Sequence, residues 1–142
     1  MSITQILVVD DFLPWHKFLL LHFEAETDFK VIAIAADGLE AVQKVMELQP
    51  DVILMDVSMP GMSGIAATRH IRLLSPASKI LFLSEHRGPD LIQAAFDVGG
   101  SGYVLKSDSF SDLIPGIRAV LLDQQFVSTS LSNWRECPLS TV

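Results

Sequence analysis

Five short apolar runs, each followed by a stretch of helical periodicity, decide what this chain can fold into. The runs are "QILVVD" (5–10), "KVIAIAA" (30–36), "DVILMD" (51–56), "KILFLS" (79–84) and "GYVLK" (102–106). Each is too short for a buried helix and rich in Val, Ile and Leu, so each reads as a strand. The intervening segments "LPWHKFLLLHFEAE" (13–26), "GLEAVQKVMEL" (38–48), "GIAATRHIRLL" (64–74), "PDLIQAAFDVG" (89–99) and "SDLIPGIRAVLLD" (111–123) read as helices. In the first, Trp15, Phe18, Leu19 and Phe23 recur at helical spacing, and Pro14 suits a first turn. Asp37 or Gly38 caps the second, Ser75-Pro76 stops the third and Gly99 closes the fourth. Pro115-Gly116 is expected to kink the last helix or to move its start to about Ile114.

Near-continuous apolar strands alternating with helices imply a parallel sheet covered on both faces, an α/β doubly wound (βα)5 architecture. The 142 residues suffice for one such domain. The formal net charge of −7, with Lys and Arg scattered, argues against direct contact with nucleic acid by this chain. Mean hydropathy is high at +0.39, yet no apolar run is long enough to span a bilayer, and no basic region precedes the first run. The one cysteine, Cys137, reads as an inert tail thiol, and its solitude suits the cytoplasm.

In open α/β sheets, ligands bind beyond the carboxyl ends of the strands, at the switch point. Here those ends carry Asp10-Asp11, Asp56, Ser84 and Lys106. The turn "DDFLP" lacks the glycines of a dinucleotide site and the hydroxyl-rich loop of a flavin site, and its acids would repel a bare phosphate. They suit a hard divalent cation such as magnesium, with Asp11 and Asp56 as carboxylate ligands and a backbone carbonyl just after Asp56, at Ser58, as another. Asp56 could then act as nucleophile towards a phosphoryl group whose oxygens meet Lys106 and the Ser84 hydroxyl. Taken singly, each residue has an ordinary explanation: Asp56 as a turn former, Asp10 and Asp11 as a cap and a first-turn acid, Lys106 as a solvated lysine. His16, His22, His70 and His86 lack metal-ligand spacing and read as surface or packing residues. Met55, Met59 and Met62 read as core and loop filler.

The set "LVVDD", "DVILMDVSMPGMSG", "ILFLS" and "GYVLK" resembles the CheY-like receiver domain of bacterial two-component response regulators. "GSGYVLKS" and "FVS" look most like the NarL/FixJ type, whose members often carry a C-terminal helix-turn-helix. The resemblance covers roughly residues 4 to 127 and implies a flavodoxin-like sheet in the order 2-1-3-4-5. It implies that Asp56 accepts phosphate from a sensor histidine kinase or phosphotransfer protein, with Asp10, Asp11, Asp56 and the Ser58 carbonyl holding Mg2+. Ser84 and Lys106 would bind phosphoryl oxygens, and Tyr103 would change rotamer as Ser84 moves. A downstream effector and a homodimer are the partners so implied.

Departures from the family pattern carry their own expectations. Glu85, beside the hydroxyl position, places a carboxylate near the mouth of the site and is expected to slow small phosphodonors. Ser107 follows Lys106 where many receivers have proline, and Gly100 stands where alanine is usual, which reads as added flexibility. Residues 1–127 read as the receiver and 128–142 as a polar tail or the start of a linker. Both a single-domain regulator and a fragment of a longer chain fit that ending. Two other functions compete with the phosphoacceptor. One is a degenerate receiver that docks a partner without phosphorylation. The other is a magnesium-dependent phosphatase, against which Ser58 stands where such enzymes place a second acid.

Overall fold

The computed structural model describes residues 2–136, and the expectation for Cys137 lies outside them. The elements run β1 (Thr4–Val9), α1 (Leu13–Glu24), β2 (Phe29–Ala35), α2 (Gly38–Leu48), β3 (Val52–Asp56), α3 (Gly64–Leu74), β4 (Lys79–Ser84), α4 (Pro89–Asp97), β5 (Gly102–Leu105), α5 (Ser109–Leu121) and β6 (Phe126–Val127). All strand pairs are parallel, in the order β2-β1-β3-β4-β5-β6. The expected order 2-1-3-4-5 is therefore present, with the short β6 added beyond β5.

Alternation along the strands sorts their side chains into two cores. Leu7, Val9, Ile53, Met55, Ile80 and Phe82 face α2, α3 and α4, where Val45, Ile71 and Ile92 meet them. Ile6, Val8, Val52, Leu54, Leu81 and Leu83 face α1 and α5, against Leu19, Phe23, Leu113 and Ile117. Both faces of the sheet are thus covered, which is why its strands carry apolar residues at successive positions between their ends. Because β1 pairs with β2 on one side and β3 on the other, the gap between the ends of β1 and β3 is the switch point.

Local chemistry sets the helix ends. Asp37 caps α2 by accepting from the Glu40 N–H at 2.8 Å, and the Glu40 carboxylate accepts from the Ala36 N–H at 2.7 Å, one residue before the cap. Ser63 caps α3 by accepting from the Ala66 N–H. Gly99, at φ +106°, takes the positive-φ position that ends α4.

Two expectations are corrected here. Pro115 does not mark the start of α5 near Ile114: the helix runs from Ser109 to Leu121 with the proline inside it, and Leu113, Ile117 and Val120 bury one apolar stripe on the sheet. Its neighbour Gly116 lets β6 approach, since a Cβ there would stand 2.9 Å from the Phe126 ring. Gly100 is a close-packing position rather than a flexible one, for a Cβ there would meet the Phe82 ring at 2.6 Å and the Ala95 carbonyl oxygen at 2.7 Å.

Beyond β6, residues 128–136 turn back onto the domain. Leu131 and Trp134 join the core on the α4 side, with Trp134 stacked on Phe96 at 5.9 Å between ring centroids. Ser128 is fully buried and its Oγ accepts from the Leu105 N–H at 3.1 Å, while the Thr129 N–H donates to Asp112 at 2.7 Å. The polar segment seen in the sequence is thus anchored by two apolar side chains. Trp134→Ala is expected to destabilise the domain by about 3 kcal/mol, read as a lower midpoint in urea denaturation.

Candidate functional site

The C-terminal ends of β1, β3 and β5 place three carboxylates and one ammonium around an open pocket of about 250 Å³. Asp10, Asp11, Phe12, Asp56, Ser58, Glu85, His86 and Lys106 line it. Asp10 is almost wholly buried and fixed on all sides. Its N–H donates to the Ala35 carbonyl, Oδ1 accepts from the Phe12 N–H at 2.8 Å, and Oδ2 accepts from Lys106 Nζ at 2.7 Å. Its carbonyl oxygen accepts from His16 Nε2, which sets that imidazole's tautomer.

Asp56 ends β3 with 8% of its surface exposed. Lys106 Nζ stands 3.8 Å from its Oδ2, and the Ser58 N–H points to its Oδ1 at 3.4 Å. Burial pushes the Asp56 carboxyl up to about 6; Lys106 opposes this, and the charges of Asp10 and Asp11 reinforce it. The turn after it depends on glycine twice. Gly61 sits at φ +75°, and a Cβ on Gly64 would lie 2.0 Å from the Asp56 carbonyl oxygen. The "PGMSG" run therefore folds the chain closely behind Asp56 and keeps its carboxylate open to the pocket.

Oxygens of Asp10, Asp11 and Asp56 lie within 4.8 Å of one another. Three hard oxygen donors at that spacing, opposed by one ammonium, fit a divalent cation of the magnesium type. Ser58 lines the same pocket.

Ser84 is buried at the end of β4, below the lining residues, and its Oγ accepts from the His86 N–H at 3.0 Å. Tyr103 is fully buried in β5 and donates its phenol proton to the His86 carbonyl at 2.9 Å; burial holds that phenol above its usual pKa. Glu85 is exposed at the mouth. The sequence reading missed His86, whose side chain meets Ser58 Oγ at 3.1 Å across the mouth while its backbone joins Ser84 to Tyr103. It also missed His16 and Gly64. A histidine six residues after an acid carries no periodic signal, and the close approach of Gly64 to Asp56 is visible only once β3 and α3 are placed.

A family model for the response regulator receiver domain matches residues 6–118. The chain belongs to that family. A curated relative, the oxygen regulatory protein NreC of Staphylococcus aureus (strain JH9), is 37% identical over 129 residues, covering 90% of this chain and 59% of NreC. The chain thus spans about three-fifths of the curated relatives it matches. The crystal structure of a LuxR-family two-component response regulator from Aurantimonas sp. SI85-9A1 superposes with a TM-score of 0.88 at 36% identity, covering 92% of this chain and 94% of that one. The response regulator domain of Thermotoga maritima CheB gives 0.75 at 29% identity, covering 87% and 97%. These matches support a NarL-type receiver with the CheY-like fold. Among the described residues no helix is long and apolar enough to cross a membrane.

The raised Asp56 pKa carries a sign for stability. The folded protein keeps a proton on Asp56 up to about pH 6, whereas the unfolded chain releases it near 3.8, so stability from the neutral form is complete below 3.8 and lost as pH rises through 6. Asp56→Asn is therefore expected to raise the melting midpoint at pH 7.5, and the gain should shrink as melts are repeated down to pH 4.

Proposed function

We propose that Asp56 is the phosphoacceptor of a two-component switch, taking its phosphoryl group from a phosphohistidine on a sensor kinase or phosphotransfer protein. The observation that carries this is the placement of Lys106 Nζ 2.7 Å from Asp10 and 3.8 Å from Asp56, inside a pocket open to solvent. With a pKa near 6, Asp56 is about nine-tenths ionised at pH 7 and so able to act as nucleophile. Its oxygen forms the new bond to phosphorus as the bond from phosphorus to the imidazole nitrogen breaks. Lys106 donates to the transferred group, balancing negative charge as it arrives.

Asp10, Asp11, Asp56 and the Ser58 carbonyl would hold Mg2+, whose contribution when bound is to neutralise charge on the phosphoryl oxygens. Ser84 is prepared for its part, because its Oγ accepts from the His86 N–H and its hydroxyl interacts with the Tyr103 phenol, whose pKa burial raises and that contact lowers. Turning that hydroxyl towards a phosphoryl oxygen gives up its interaction with the Tyr103 phenol. The His86 backbone also holds the phenol, so Tyr103 can repack as the loop after β4 shifts. The face around α4 and β5 then changes for an effector domain or protein, or for a second copy of the chain. The reading makes the domain a signalling element, with self-dephosphorylation its one hydrolytic activity, working in the cytoplasm.

The test is incubation with magnesium and acetyl phosphate, followed by intact mass. A single phosphate adduct is expected in the wild type and none in Asp56→Asn. No adduct with any donor or kinase would point to a docking module, and turnover of a phosphate ester would point to an enzyme. Glu85→Ala is expected to speed adduct formation from acetyl phosphate, because it removes a carboxylate from the mouth. An unchanged rate would remove Glu85 from the account.

A further inference from the structure

Lys106 carries its charge on a flexible four-carbon stem, yet its ammonium stands at one place in the pocket. Asp10 supplies part of the reason at 2.7 Å. The rest comes from α1, where the ring of Trp15 lies with its centroid 5.2 Å from Lys106 Nζ, within the range of a cation–π contact. Only 15% of the Lys106 side chain is exposed and Trp15 is half-buried, so little water screens the contact.

The indole is placed by the start of α1. Pro14 opens the first turn, the Trp15 N–H donates to the Phe12 carbonyl at 3.1 Å, and the ring stacks on Phe18 at 4.9 Å with 15° between planes. Its Nε1 is buried without a hydrogen-bond partner among the described residues. The polar edge of the ring therefore does not locate it; the faces do. An aliphatic side chain would fill the space without leaving a buried N–H unsatisfied.

We propose that Trp15 is a positioning residue for the phosphoryl transfer, holding the Lys106 ammonium between Asp10 and Asp56 by its ring face. This rests on the reading of Asp56 as phosphoacceptor. A π face suits the task where another carboxylate would not. It attracts the cation without adding another negative charge to a pocket already lined by Asp10, Asp11, Asp56 and Glu85, and it takes none of the three N–H donors as a conventional acceptor would. Those donors remain available for phosphoryl oxygens.

The test has two arms. Trp134→Phe leaves Trp15 as the single indole of the chain. In that background Lys106→Met is expected to shift the Trp15 emission, with no phosphodonor present. In the second arm, Trp15→Leu is expected to slow adduct formation from acetyl phosphate about three- to tenfold, while Trp15→Phe keeps most of the wild-type rate. If Trp15→Leu fails to fold, Trp15→Met takes its place in the comparison. An emission unchanged by Lys106→Met overturns the proposal, as does an aliphatic variant that reacts as fast as Trp15→Phe. A wild-type chain that takes no phosphoryl group overturns the phosphoacceptor reading and this role with it. The emission arm still reports the contact itself, so the two failures are told apart.

Discussion

The ion pair between Lys106 and Asp10 is the contact on which the rest of the site depends. Asp10, Asp11 and Asp56 crowd three carboxylates at the switch point, two of them largely buried, and such a cluster is unfavourable without a compensating cation. Lys106 supplies one positive charge from the end of β5 and bonds the most deeply buried of the three. That charge opposes the rise in the Asp56 pKa but does not cancel it, so excess negative charge persists where a divalent cation fits. The fold thus stores an electrostatic deficit at the point where the chemistry is proposed to occur.

The turn that bears Lys106 is braced from two directions. On the pocket side it meets Asp10, Asp56 and Trp15. On the other side Ser128 accepts from the Leu105 N–H and Ser130 bonds Asp108, so the segment after β6 is tied to the same turn. Trp134 and Leu131 hold that segment on the α4 face. Residues 128–130, at the far edge of the sheet, are thus bonded to the same stretch of chain that carries Lys106.

Most of the fold was legible in the sequence because its signals are local. Strands such as "VILMD" and "ILFLS" are apolar at successive positions since both sheet faces are covered, and β1, β3 and β5 run directly into the polar residues that line the pocket. Asp10, Asp11, Asp56 and Lys106 could be placed together by topology alone, without knowing any side-chain conformation. What could not be read depends on surfaces meeting. Trp15 showed as one apolar residue in a helical stripe, and only the tertiary placement of the start of α1 beside the turn after β5 brings it over Lys106. His86 showed as a loop histidine, whereas its backbone is the link between Ser84 and Tyr103. Pro115-Gly116 suggested a start near Ile114 because the local cost of an interior proline is plain, while the compensating stripe of Leu113, Ile117 and Val120 is tertiary.

The central claim is that Asp56, rather than either neighbouring acid, receives the phosphoryl group. Borohydride reduction of the phosphorylated chain, followed by peptide mapping, tests it most directly, since reduction converts an aspartyl phosphate to homoserine and marks the residue that carried it. Homoserine is expected at position 56, with Asp10 and Asp11 intact. Homoserine at position 10 or 11, or a phosphate retained on a serine or histidine, would contradict it.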